Sequence, residues 1–145
     1  MTTSEDSFQL HPQLAQDCAF ITDLQLCTLL LMNDSLYPWC ILVPRVAGVS
    51  DLHELSDGDQ RQLLEESSQL SRCLMSLFSG HKMNVAALGN VVPQLHVHHI
   101  VRQTSDAAWP KPVWGQQAAE PYPAEQLVAR VEAIAAAMAG DKPRP

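Results

Sequence analysis

Residues 83–102 read MNVAALGNVVPQLHVHHIVR. An apolar run from Met83 to Leu88 is broken at Gly89-Asn90, and a second extended run follows from Leu95 to Arg102. Two such runs separated by turn residues predict two strands. Alternate side chains on a strand share a face. Gln94, His96 and His98 therefore point one way, and Leu95, Val97 and His99 the other. The three histidines are a pair flanked by a glutamine, with one imidazole turned away.

The segments before and after this stretch complete an α+β pattern. Pro12 is suited to the first turn of a short helix. AFITDLQLCTLLLMND (19–34) holds two extended pieces, near 19–22 and 25–32. The second is apolar on both faces, as a strand covered on both sides would be. Asn33-Asp34-Ser35 forms a turn, and WCILVPRV (39–46) returns as a strand close enough for antiparallel pairing. Ser56-Asp57-Gly58-Asp59 offers N-cap chemistry for a long helix reaching about Phe78, with Gly80 as its stop. Leu63, Leu64, Leu70, Leu74 and Leu77 are its expected apolar stripe, and Gln60, Glu65, Glu66 and Gln69 its expected wet side. A last helix over 123–139 carries Leu127, Val131, Ile134 and Met138 on one side. The βαβ alternation of a doubly wound sheet is missing, so the sheet is expected to be mainly antiparallel.

One domain over residues 8–140 is expected, with 1–7 and 141–145 as flexible tails. The longest aliphatic stretch, Leu29-Leu30-Leu31-Met32, is far too short to span a bilayer. The N-terminus is acidic and polar rather than signal-like, which makes the cytoplasm the expected location. Cys18, Cys27, Cys40 and Cys73 lack CxxC spacing and sit among apolar neighbours, as buried free thiols do. A net charge of −7 argues against a broad nucleic-acid surface, which needs clustered Lys and Arg. A small phosphorylated ligand needs only a few oriented donors and stays compatible with that charge.

A His-x-His pair on a strand admits three uses. It can be two polar residues on a solvated face, or two ligands of a metal that needs at least one more from elsewhere. It can also do phosphorus chemistry: a neutral imidazole attacks phosphorus while a neighbour donates hydrogen bonds to the phosphate oxygens. Asn90 and Gln94, just before the pair, supply amides of the type such a site uses.

The stretch resembles the signature of the histidine triad (HIT) family of nucleotide hydrolases and transferases. Gln94-Leu95-His96-Val97-His98-His99-Ile100 fills the seven places of the family's His-φ-His-φ-His-φ-φ pattern, with φ apolar. LLLMNDSLYPWCILVPR (29–45) resembles the family's preceding hairpin, so the likeness covers about residues 14–115. The resemblance implies a HIT-like five-stranded sheet with one long central helix and a C-terminal helix. It further implies His96 as nucleophile toward the α-phosphorus of a nucleoside phosphate ester, anhydride or phosphoramidate, through a nucleotidyl-histidine and without a metal or other cofactor. His98 would bind phosphate oxygens or the leaving group, and Gln94 would complete the catalytic set. Asn90 would donate to phosphate, Asn33 would contact ribose hydroxyls, and Asn84 matches the Asn of the preceding strand. Phe20, Leu30 and Leu31 are candidates for contact with the base.

The implied ligands are AMP or a dinucleoside polyphosphate, and the implied assembly is a homodimer. A catalytically weak nucleotide-binding or sensing protein is the alternative implied function. Three departures from the pattern bear on this choice. Gln94 stands at the first histidine, Tyr37-Pro38-Trp39 replaces a Pro-Gly-His segment, and His99 occupies an apolar position. Trp109 and Trp114 follow the motif strand, either shaping the pocket or covering apolar surface.

Overall fold

The computed structural model describes residues 7–141; the remaining residues of the expected tails, 1–6 and 142–145, lie outside the described residues. A short helix α1 (Pro12–Asp17) leads into strands β1 (Cys18–Asp23), β2 (Cys27–Met32) and β3 (Trp39–Pro44). A 3-10 turn at Leu52–Glu54 precedes helix α2 (Asp57–Leu77), then β4 (Lys82–Ala86), β5 (Val97–Arg102) and helix α3 (Ala124–Gly140). The sheet order is β1-β2-β3-β5-β4, and every pairing is antiparallel. The α+β fold with one five-stranded antiparallel sheet is as expected from the sequence.

Each face of the sheet has its own cover. Leu29, Leu31, Cys40, Leu42, Val97 and Val101 pack with Leu63, Leu70 and Leu74 of α2 and Ile134 and Met138 of α3. On the opposite face Leu30, Trp39, Ile41, Val43 and Ile100 pack with Leu14, Ala108 and Val113, residues of α1 and of the loop after β5. That second cover is built from loops and a single turn-length helix. It is the face that carries His96 and His98.

Helix α2 starts where its chemistry dictates: the Ser56 hydroxyl accepts from the Asp59 N–H, and Asp57 and Asp59 lie in the positively polarised first turn. Its buried side departs from the expected stripe. Leu64 is 67% exposed and Leu77 41%, whereas Glu66 is only 3% exposed. The Glu66 carboxylate accepts from the N–H groups of Leu26 and Cys27, each at 2.8 Å, and from the Gln62 amide. A buried carboxylate is tolerable when backbone donors surround it, and here it ties α2 to the β1–β2 turn. Gly80 is needed for a close approach: a Cβ there would lie 2.5 Å from Met75 Sδ and 2.7 Å from Val101 Cγ1.

Beyond His98, β5 ends in a buried ionic knot. Arg102, 1% exposed, donates to both carboxylate oxygens of Asp106 at 2.8 and 3.0 Å and to Asn84 Oδ1 at 2.9 Å. Asp106 also accepts from the N–H groups of Gln103, Ala108 and Trp109, so one carboxylate folds the turn that carries the loop back over the sheet. At the other end of the chain Asp141 pairs with Arg72 at 3.3 Å, joining the end of α3 to α2. No helix among the described residues is long and apolar enough to cross a membrane. The four cysteines are free thiols, three of them buried.

Candidate active site

Register places the motif on the loop-covered face. His98 stands opposite Ile41 of β3 and Ala86 of β4, and Ile41 stands opposite Leu30, which in turn faces Phe20. A single row therefore crosses all five strands, and His98 sits within it. His96, just before the strand begins, lies on the same side with its ring centroid 4.9 Å from that of His98. Both side chains are largely buried.

The two rings are held in opposite protonation patterns. His96 Nδ1 lies 2.7 Å from the carbonyl oxygen of Gln94. A carbonyl only accepts, so Nδ1 carries the hydrogen and the neutral ring leaves its lone pair on Nε2. At His98 the logic reverses. Trp39 Nε1 donates to His98 Nδ1 at 3.0 Å, and an indole nitrogen only donates. The proton of His98 is therefore on Nε2. Neither Nε2 atom bonds to a described residue, and neither is sealed from solvent. One imidazole thus offers a lone pair and its neighbour offers an N–H.

Burial, helped by the nearby His96 and His99, pushes His98 down to about 4, so it remains a neutral donor at physiological pH. Aromatic contacts fix the ring. Trp39 lies edge-on at 5.6 Å, and Trp114 at 5.1 Å, with the two indoles 5.8 Å apart. Trp114 thus shapes the site, whereas Trp109 packs on Arg102 and on the His81 ring.

Gln94 reaches the site only through its backbone. Its side chain donates to the Gln9 carbonyl and accepts from the His11 N–H, both at 2.8 Å, clamping the N-terminal segment. Asn33 Oδ1 accepts from the Tyr122 N–H, in a turn that the neighbouring Asp34 also ties to Glu120. Asn84 shares the site face but holds Arg102. Asn90 is exposed in the loop after β4 and bonds to no described residue. Leu31 belongs to the core under the helices, which removes it as a base contact, while Leu30 and the exposed Phe20 are on the site face.

His99 is on the far face and fully buried. Its Nδ1 lies 3.1 Å from the Val97 carbonyl and its Nε2 2.7 Å from the Ser67 hydroxyl of α2. Both nitrogens are committed to structure.

A cavity of about 260 Å³ opens beside His96, between the loop after β3 and the loop after β4. Ser50 to His53 and Ala87 to Gly89 line it together with Leu95 and His96. Gly89 takes the left-handed backbone conformation, φ 72°, that lets this loop turn back. The N–H groups of Ala87, Leu88, Gly89 and Asn90 are taken by no described acceptor. Among the described residues no three His, Cys, Asp or Glu side chains converge as a metal site.

Sequence reading misses Trp39 as the partner of His98 and the cavity wall at residues 50–53. The first depends on β3–β5 register. The second depends on the Leu95 N–H bonding to the Val49 carbonyl at 2.9 Å, which draws that loop alongside the motif.

Fold and site together define an α+β protein whose antiparallel sheet presents two adjacent imidazoles, one with a free ring lone pair and one with a free N–H. The HIT domain model matches residues 13–105, and the chain belongs to the histidine triad family. It is similar to a histidine triad protein of known structure from Marinobacter aquaeolei VT8, at 52% identity and TM-score 0.89 over 92% of this chain and 97% of that one. A histidine triad protein from Bradyrhizobium japonicum is 41% identical, TM-score 0.89, over 91% and 98% of the two chains. One from Sinorhizobium meliloti 1021 is 42% identical, TM-score 0.86, over 88% and 94%. No curated protein matches. Members of the family are generally nucleotide hydrolases, nucleotidyl transferases or nucleotide-binding proteins.

Proposed function

We propose that this protein hydrolyses or transfers nucleotides at the α-phosphate through a transient nucleotidyl-His96. The observation that carries this reading is the opposite polarity of two adjacent rings: a lone pair on His96 Nε2, and an N–H on His98 Nε2. Attack by Nε2 forms the P–N bond, and the Gln94 carbonyl stabilises the positive charge arriving on the ring through Nδ1–H. His98 donates to a phosphate oxygen, where charge builds as the bond to the leaving group breaks. Asn90 and the N–H groups of residues 87–90, which no described acceptor takes, are further donors suited to phosphate.

The base would rest on Phe20 and Leu30, with the Asn33 amide turned toward the ribose. Asn84 would act indirectly, by holding Arg102. The ligand would be AMP or a dinucleoside polyphosphate, with no metal in the covalent step. Free thiols suit the cytoplasm as its location. A homodimer is favoured by β4, an edge strand among the described residues, with Val85 on it and Val91 after it both exposed. Within this reading Gln94 takes the place of the family's first histidine, and its side chain serves the N-terminal segment instead of the substrate.

The test is incubation with diadenosine tetraphosphate. AMP should be released, an acid-labile adenylyl adduct should be trapped on His96, and His96→Ala should lower turnover by about 10⁴-fold or more. Equal turnover in that variant would overturn the mechanism. The commitment of the Gln94 side chain to Gln9 and His11 favours one second reading, a slow nucleotide binder. AMP binding without turnover on any substrate would establish it.

A further inference from the structure

A leaving group more basic than a phosphate needs a proton as it departs, and the two histidines cannot give one. His98 holds its Nε2 hydrogen as a neutral ring, which donates a hydrogen bond but does not surrender the proton. His96 is the nucleophile, and its Nδ1 hydrogen points at the Gln94 carbonyl, away from the substrate. The Gln94 amide has no proton to lose at these pH values, and Trp39 is an indole donor already bound to His98.

The cavity beside His96 contains two further titratable residues, Asp51 and His53. Asp51 caps the 3-10 turn through its backbone, its carbonyl accepting from the Glu54 N–H at 3.1 Å and its N–H donating to the Glu54 carboxylate at 2.8 Å. The His53 side chain, exposed on the 3-10 turn, has no hydrogen-bond partner among the described residues. The turn is nonetheless held in place. Glu54 accepts from the N–H groups of Ser50 and Asp51 at 3.0 and 2.8 Å, and Val49 is bonded to Leu95, one residue before the nucleophile. Displacement at phosphorus is in line, so a proton donor for the leaving atom must come from a residue other than the nucleophile, and His53 lines the same cavity as His96.

Resting on the nucleotidyl-histidine reading, we propose that His53 is the acid–base catalyst for the leaving group in this cavity. As His96 Nε2 forms the P–N bond, the bond from phosphorus to the leaving atom breaks. Its electron pair goes with that atom, which takes the proton of protonated His53. Water then enters along the vacated line. Its oxygen bonds to phosphorus, the P–N pair returns to His96 Nε2, and the water proton passes to His53, restoring its starting state. Imidazole suits both steps because it exchanges protons near neutrality. The acid matters most for nucleoside monophosphates joined to basic leaving groups, alkoxides and amines, and least for those joined to phosphate.

The experiment compares kcat/KM for a series of AMP esters, from 4-nitrophenyl through phenyl to benzyl, in the native protein, His53→Ala and His53→Gln. Loss of general-acid help is worth 10² or more on a basic leaving group and little on nitrophenolate. The nitrophenyl-to-benzyl ratio is therefore expected to rise about 100-fold in both variants. An unchanged ratio, with benzyl turnover intact or all esters falling together, would overturn the role of His53. His96→Ala run on the same esters separates the two claims: if it stays active, the nucleotidyl-histidine reading itself fails.

Discussion

His98 and His99 are consecutive on β5, both buried, and both pushed by burial to about 4. They differ in how many ring nitrogens the protein uses. His99 gives both to structure, one to Val97 and one to Ser67. His98 gives one to Trp39 and keeps the other on the site side. The cover explains the difference. The helix face seals with regular side-chain packing and presents a hydroxyl to His99, while the loop face stops short and leaves His98 Nε2 with solvent contact. A buried histidine becomes a candidate for chemistry when one nitrogen fixes the tautomer and the other is left over.

The largest test of that contrast is truncation at each position. On the proposed function His98→Ala removes a donor to the phosphate, so kcat is expected to fall about 10²–10³-fold, as for loss of an oxyanion donor. His99→Ala is expected to leave kcat within tenfold and to lower the melting temperature instead. Steady-state kinetics and thermal denaturation on the same preparations read both effects. If His99→Ala costs as much turnover as His98→Ala, the two faces are not functionally distinct.

How much of this contrast is legible in the sequence follows from which interactions are local. Strand alternation has a period of two, so the split between His96–His98 and His99 can be read directly. The Gln94 carbonyl is also local to His96, yet nothing in the residue type announces it. Trp39 is 59 positions from His98, and only strand register brings the indole to the ring. The same limit governs α2. Every Leu on the helix looks like core, but the helix turns Leu64 and Leu77 outward and Glu66 and Ser67 inward. Those two polar residues face in because the β1–β2 turn and His99 offer them partners that lie far away in sequence. Gln94, read as part of a catalytic set, is drawn aside by Gln9 and His11, more than eighty positions away.

Ser67 is the next lever. Ser67→Ala deletes the donor to His99 Nε2 and leaves a buried acceptor without a partner, which costs about 1–3 kcal/mol. Urea denaturation should register this loss at constant m-value, with turnover unchanged. Trp39→Phe is the matching change on the other face, and it should move catalysis more than stability. A catalytic loss in Ser67→Ala would mean that the helix face reaches the site.

The smallest effect concerns pH and tests what the two histidines share. Both folded-state values lie below the ordinary 6.5 for imidazole. Above that pH neither the folded nor the unfolded chain protonates these rings, and they contribute no slope. As pH falls from 6.5 toward 4, the unfolded chain binds protons at both positions while the folded chain does not. Stability therefore declines, by at most about 1.4 kcal/mol per pH unit for each ring. Asp106 does not confuse this window. Burial raises its carboxyl, but Arg102 and the backbone N–H groups outweigh that and hold it below 3.8, so its contribution is lost only at lower pH. Urea midpoints between pH 5 and 6.5 should fall with acid in the native protein, and more shallowly in His99→Gln and in His98→Gln alike. An undiminished slope in His99→Gln, with a reduced one in His98→Gln, would mean that the Ser67 hydroxyl turns its lone pair to a protonated His99. The contrast between the two faces would then extend from the use of ring nitrogens to charge.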